Sequence, residues 1–105
     1  MSEVVVVATF KVKPGKEEEA ERMLRAVIAP THAEEGCLTY AFHRGLDDPT
    51  QFAMVERWAS REALDAHLQT PHVAQLSSAV DLLAEPPQIV FAEALPEGDA
   101  DKGTL

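Results

Sequence analysis

The 105 residues predict a single α+β domain with its elements in the order βαββαβ. Three observations carry that reading. The chain opens on an apolar run from Val4 to Val12. It contains two stretches of helical apolar spacing, one after Pro14-Gly15 and one after Ser60. Between them lie two alternating segments, Cys37 to Arg44 and Phe52 to Trp58, joined by a loop rich in turn residues. Two halves of this kind around a central hairpin fit a ferredoxin-like sandwich with an antiparallel sheet. Residues 1–96 form the domain, and 97–105 form a polar C-terminal tail.

The first strand, Val4 to Val12, is apolar on both faces. Val4, Val6, Ala8, Phe10 and Val12 line one, and Val5 and Val7 line the other, so both faces call for cover. Pro14-Gly15 ends the strand. Ala20, Met23, Leu24, Val27 and Ile28 then form the apolar stripe of a helix whose charged face, Lys16 to Glu19 with Glu21 and Arg22, meets water. Pro30 removes a backbone donor and kinks or ends that helix, and Gly36 terminates the segment. Cys37 to Arg44 and Phe52 to Trp58 are the second and third strands, with Gly45 to Thr50 as the hairpin loop. Ser60 caps a helix from Arg61 to about Gln69. Thr70-Pro71 caps a further helix through about Leu83, ended by Pro86-Pro87. Gln88 to Leu95 is the last strand, and the polar residues after Pro96 are expected to be loose.

Composition narrows the function. A net charge of −9 argues against nucleic acid or an anionic membrane as partner. Cys37 is the sole cysteine, so it can support neither an internal disulfide nor a cysteine zinc site, and it is expected to act as a small hydrophobe. The apolar start has no basic segment before it, and no run reaches the roughly 20 apolar residues of a membrane span, so a cytoplasmic protein is expected. Neither a Gly-x-Gly-x-x-Gly nor a P-loop pattern offers a seat for flavin, NAD or ATP. Helices can cover only one face of such a sheet. The second apolar face of the first strand therefore predicts a homodimer.

The third strand carries Phe52, Met54, Glu56 and Trp58 on one face. Glu56 is a carboxylate in an apolar row. It needs a proton, a cationic partner or a catalytic task as general base, and Arg57 points the other way. His67 and His72 fall on the inward stripes of adjacent helical segments and can converge on the pocket that holds Glu56. A metal triad of Glu56, His67 and His72 has no diagnostic spacing, and no metal is expected. Trp58, Phe52 and Met54 are candidate pocket walls. Tyr40 and His43 are further candidates for substrate contact. They lie on opposite faces of the second strand and cannot both serve one pocket of one subunit. His32 is expected at the surface or an interface.

Taken together, Glu56-Arg57-Trp58, Ala63-Leu64-Asp65-Ala66-His67 and Thr70-Pro71-His72 resemble the antibiotic biosynthesis monooxygenase family, in its quinol-monooxygenase-like branch. Gly36-Cys37-Leu38-Thr39-Tyr40 and His43-Arg44 extend the resemblance, which runs from about Val4 to Leu95. It implies a dimeric α+β barrel and cofactor-independent oxidation of a small aromatic or quinol-like substrate. A base, Glu56 or His67, deprotonates the substrate, and the anion reduces O2 directly, with His72 as donor or relay. A haem-degrading branch of this fold uses an asparagine on the first strand and a histidine further along the second helix. This sequence has no asparagine and no histidine after His72, which disfavours haem. The same groups also suit an acid–base isomerase of a small keto-sugar-like metabolite, or a non-catalytic small-molecule-binding dimer.

Overall fold

The computed structural model describes residues 3–105. Its elements are β1 (Val4–Lys11), α1 (Glu17–Ala26), α2 (Ile28–His32), β2 (Cys37–Arg44), β3 (Gln51–Trp58), α3 (Arg61–His67), α4 (Pro71–Gln75) and β4 (Gln88–Ala92). The four strands form one antiparallel sheet in the order β2-β3-β1-β4, with the helices on one face. This is the ferredoxin-like α+β sandwich.

β3 shows the expected alternation at full strength. Phe52, Met54, Glu56 and Trp58 are all buried, while the residues between them are half-buried. In β1, Val6 and Ala8 face the helices and are buried, and Val12 forms an isolated bridge to Leu83 beyond the strand end. The apolar interior falls into two neighbouring clusters. One gathers Trp58, Met54, Val6 and Leu64; the other gathers Phe52, Val12, Leu24 and Leu82. Each such side chain, fully removed from water, contributes roughly 1.5–3 kcal/mol before conformational entropy is counted.

Much of the other sheet face lacks cover from the described residues; only its Val5–Arg57 end lies beside the C-terminal residues. Val7 of β1 remains 38% exposed, and its neighbour Val90 of β4 is 56% exposed. The described residues therefore supply only part of the cover expected for this face.

Several local expectations change. The first helix stops at Ala26, and Pro30 sits inside the short α2. A proline at position 30 cannot donate to the Ala26 carbonyl and crowds it, so the break appears one turn upstream of the proline. Ser60 and Thr70 cap α3 and α4 as expected, accepting from the amides of Ala63 and Val73. The α-helix expected through Leu83 ends at Gln75, and Leu76–Leu82 continues as a 3-10 helix. Cys37 changes face. A register irregularity between Cys37 and Thr39 sets Cys37 opposite Trp58 on the helix side and leaves Leu38 47% exposed. The tail has no helix or strand. It turns at Asp99, whose carbonyl accepts from the Gly103 amide, and its last residues lie beside Glu3, Val5 and Arg57.

Candidate active site

Between the sheet and the helices of the second half lies a cavity of about 270 Å³. Its walls are almost wholly apolar. Met54, Val6 and Leu64 form the floor side, while Val80, Ile89 and Phe91 line it and remain about half exposed. The polar groups that border it are few: Tyr40 from β2, Glu56 from β3, His67 from the last turn of α3, and Ser77. An apolar concavity with a small set of convergent polar groups is the usual form of a small-molecule site.

Glu56 is 6% exposed. Trp58 Nε1 donates to its Oε1 at 2.9 Å, two residues along the same strand face. No histidine or arginine pairs with it among the described residues. Burial pushes the Glu56 carboxyl up to about 7. The negative charge of Glu34 adds to this, and the Trp58 hydrogen bond opposes it. Burial, and then the Glu56 charge, also raises the Tyr40 phenol well above its ordinary value, so Tyr40 stays a hydrogen-bond donor at neutral pH.

His67 is 3% exposed, as its place on the inward stripe predicts. Its ring lies 4.5 Å from the Trp58 ring and 5.5 Å, edge-on, from that of Tyr40. Its Nδ1 is 2.8 Å from Glu34 Oε2, and His72 Nε2 is 2.7 Å from the same oxygen. The carboxylate between the two imidazoles is thus Glu34 and not Glu56, which corrects the expected convergence of both histidines on the pocket that holds Glu56. Glu34 escaped the sequence reading because it falls in the irregular segment between α2 and β2, where no periodicity assigns a face. Its adjacency to Gly36, which turns the chain under α3, is the one signal that could have pointed to it.

The remaining candidates divide. Met54 borders the cavity. Trp58 and Phe52 do not: Trp58 is sealed beneath His67, and Phe52 stacks on Phe42 in the other cluster. His72 stands behind Glu34 and does not border the cavity. His43 is exposed on the outer sheet face, with Nδ1 3.1 Å from the Ala41 carbonyl, and cannot reach the cavity of its own subunit. Tyr40 is the member of that pair that faces inward. His32 is exposed and contacts the Tyr40 carbonyl at 3.0 Å.

Glu34, His67 and His72 bring three potential donor atoms within 4.8 Å of one another, the one such grouping among the described residues. Glu34 already joins both rings at hydrogen-bond distance.

The sequence profile of the antibiotic biosynthesis monooxygenase family matches residues 3–78. The chain belongs to this family. Among similar proteins of the family's kind, Rv0793 of Mycobacterium tuberculosis is 34% identical over 94% of this chain and 98% of its own. Its solved structure superposes with a TM-score of 0.86, covering 93% of this chain and all of that one. The crystal structure of PA3566 from Pseudomonas aeruginosa gives a TM-score of 0.84 at 35% identity, covering 90% and 96% of the two chains. A protein of Escherichia coli named as the probable quinol monooxygenase YgiN is 36% identical over 73% of this chain and 84% of its own. The chain also matches the uncharacterized protein sll1783 of Synechocystis at 38% identity over 82% of its residues, and there it spans only 59% of the relative's length. No helix of the described residues is long and apolar enough to cross a membrane.

Proposed function

We propose that this antibiotic biosynthesis monooxygenase family member is a cofactor-independent monooxygenase of a small quinol or related phenol. The observation that carries the reading is the placement of Glu56, His67 and Tyr40 around one apolar cavity. A quinol oxidised to a hydroxyquinone loses two hydroxyl protons, and two acid–base groups border this cavity. Removing a hydroxyl proton leaves an electron-rich anion. That anion passes one electron to O2, and the resulting radical pair closes a C–O bond to give a ring peroxide anion, which takes the abstracted proton back to become a hydroperoxide. Loss of the ring proton and of hydroxide, reprotonated to water, leaves one oxygen atom on the ring. The quinol supplies all four electrons, and O2 accepts them. The protein's part is to take protons at Glu56 and His67, to donate a hydrogen bond from Tyr40 to the developing anion, and to keep water away.

Two further parts belong to this reading. A second copy of the chain covers the outer sheet face, making a homodimer of the barrel type, because Val7 and Val90 expose an apolar sheet surface otherwise. A lone free cysteine, Cys37, suits a reducing cytoplasmic compartment. Oxygen-electrode traces on metal-stripped protein with a panel of quinols and polyphenols test the activity. Uptake at one O2 per quinol consumed is expected. Substrate loss without uptake would point instead to proton-shuffling isomerisation and would overturn the proposal.

A further inference from the structure

Glu34 owes its position to the chain on both sides. Its amide donates to the Thr31 carbonyl at 3.0 Å, and its carbonyl accepts from the Cys37 amide at 3.3 Å, so its backbone is fixed between α2 and β2. Gly36 follows with φ +90, and a Cβ there would stand 2.6 Å from that of Ala63. The segment is thereby pressed under α3. The Glu34 side chain is 14% exposed, those of His67 and His72 4% and 18%.

One carboxylate oxygen meets both rings. A carboxylate has no proton to give, so each ring nitrogen facing it must donate. His67 is then protonated on Nδ1 and His72 on Nε2. In neutral His67 this leaves Nε2 with a bare lone pair. Among the described residues Nε2 has no hydrogen-bond partner. The only fully buried side-chain nitrogen or oxygen there without a partner is Thr31 Oγ1, so Nε2 is not sealed in. The ring borders the cavity, while Glu34 and His72 do not. Trp58 and Tyr40 pack against the ring and restrict its rotation.

We propose that Glu34 is a positioning residue that holds His67 in the Nδ1–H tautomer, presenting Nε2 to the cavity as the acceptor of the first substrate proton. This assignment rests on the function proposed above and selects between its two acid–base groups. In the step, the substrate O–H bond breaks and an Nε2–H bond forms. No electron moves to the protein, and the imidazolium charge develops against Glu34. The proton then passes to the distal oxygen of the ring peroxide and leaves with it as hydroxide, which the ring proton completes to water. His72 donates the second hydrogen bond to Glu34 and so holds the carboxylate in place. Glu56 remains for the second proton. The charged and titratable groups around His67 are Glu34 and His72 on its Nδ1 side, Tyr40 against the ring, and Glu56 beyond Trp58.

The logic is that of any base oriented by a third group. The orienting residue never touches substrate, yet it decides which nitrogen is free. The test has two arms. Long-range proton–nitrogen NMR spectra of uniformly labelled protein read the tautomer directly, whether or not a substrate is known. His67 is expected as Nδ1–H and His72 as Nε2–H. In Glu34→Ala the Nε2–H form of His67 should appear. In Glu34→Gln, which keeps an acceptor oxygen but no charge, the Nδ1–H form should persist. In oxygen-uptake kinetics, Glu34→Ala should lower kcat by about tenfold to a hundredfold, with KM within about twofold, and Glu34→Gln should recover part of the loss. Wild-type His67 carrying its proton on Nε2 would overturn the proposal. So would a Glu34→Ala variant with wild-type tautomer and kcat. If wild-type protein oxygenates no quinol while the tautomers are as stated, the functional reading fails and the positioning stands. If Glu34→Ala does not fold, the wild-type spectrum and the Glu34→Gln variant decide.

Discussion

Replacing Glu56 by glutamine should remove a pH dependence of stability that the wild-type chain carries at this one residue. The carboxyl sits in an apolar row with a single hydrogen bond, from Trp58, and burial moves it from 4.5 to about 7. A group raised on folding binds its proton more tightly in the native state. Its contribution is therefore fully present below 4.5 and is lost as pH rises through about 7. At about 1.4 kcal/mol per tenfold, the loss amounts to roughly 3 kcal/mol. Glutamine keeps the shape and can still accept from the Trp58 indole, but it has no proton to lose. Urea denaturation of both proteins from pH 5 to pH 9 isolates the residue, because other titrating groups cancel in the difference. Part of the loss is already present at pH 5, so the variant should exceed wild type by about 1 kcal/mol there and by about 3 kcal/mol at pH 9. A difference that stays flat across this range would refute the argument that Glu56 is buried and ionises at a cost. The same ionisation should appear in catalysis with the opposite sense. The proton-accepting form accumulates as pH passes about 7, and turnover by Glu56→Gln should fall by about 10²-fold.

His67→Ala should reduce both turnover and substrate affinity, since the ring borders the cavity as well as offering a base; kinetics with O2 uptake and equilibrium binding would separate the two. Gly36→Ala should destabilise by about 2–4 kcal/mol in urea, because the residue has φ +90 and its Cβ would collide with Ala63; a loss under about 1 kcal/mol would contradict that geometry. Val7→Asp should yield a folded monomer by light scattering, since Val7 lies on the uncovered sheet face away from the helix-side core; an intact dimer would show that the copies meet elsewhere. Deleting residues 98–105 should cost less than about 1 kcal/mol, because the tail buries little apolar surface.

The sheet and its burial were legible because strand periodicity is a local rule. Phe52, Met54, Glu56 and Trp58 alternate strictly, and that alternation alone placed a carboxylate inside. Helical spacing did the same for His67. What failed were features set by contacts distant in sequence. The bulge that turns Cys37 toward Trp58 shifts register by one residue, which no apolar pattern records. Pattern also could not separate lining from core. Phe52 and Trp58 share the inward face with Met54, but only Met54 reaches the cavity, because Phe42 and His67 cover the other two. Glu34 was invisible for a third reason. It lies in an irregular turn, and its partners are 33 and 38 residues away.

The central claim is that substrate anion formed in this cavity reduces O2 and retains one of its atoms. Turnover of a quinol under labelled dioxygen, with mass analysis of product and water, tests it most directly. One labelled oxygen atom in each product molecule and one in water, at one O2 per quinol, is the predicted result. A product formed without label, or formed equally well in the absence of O2, would contradict it.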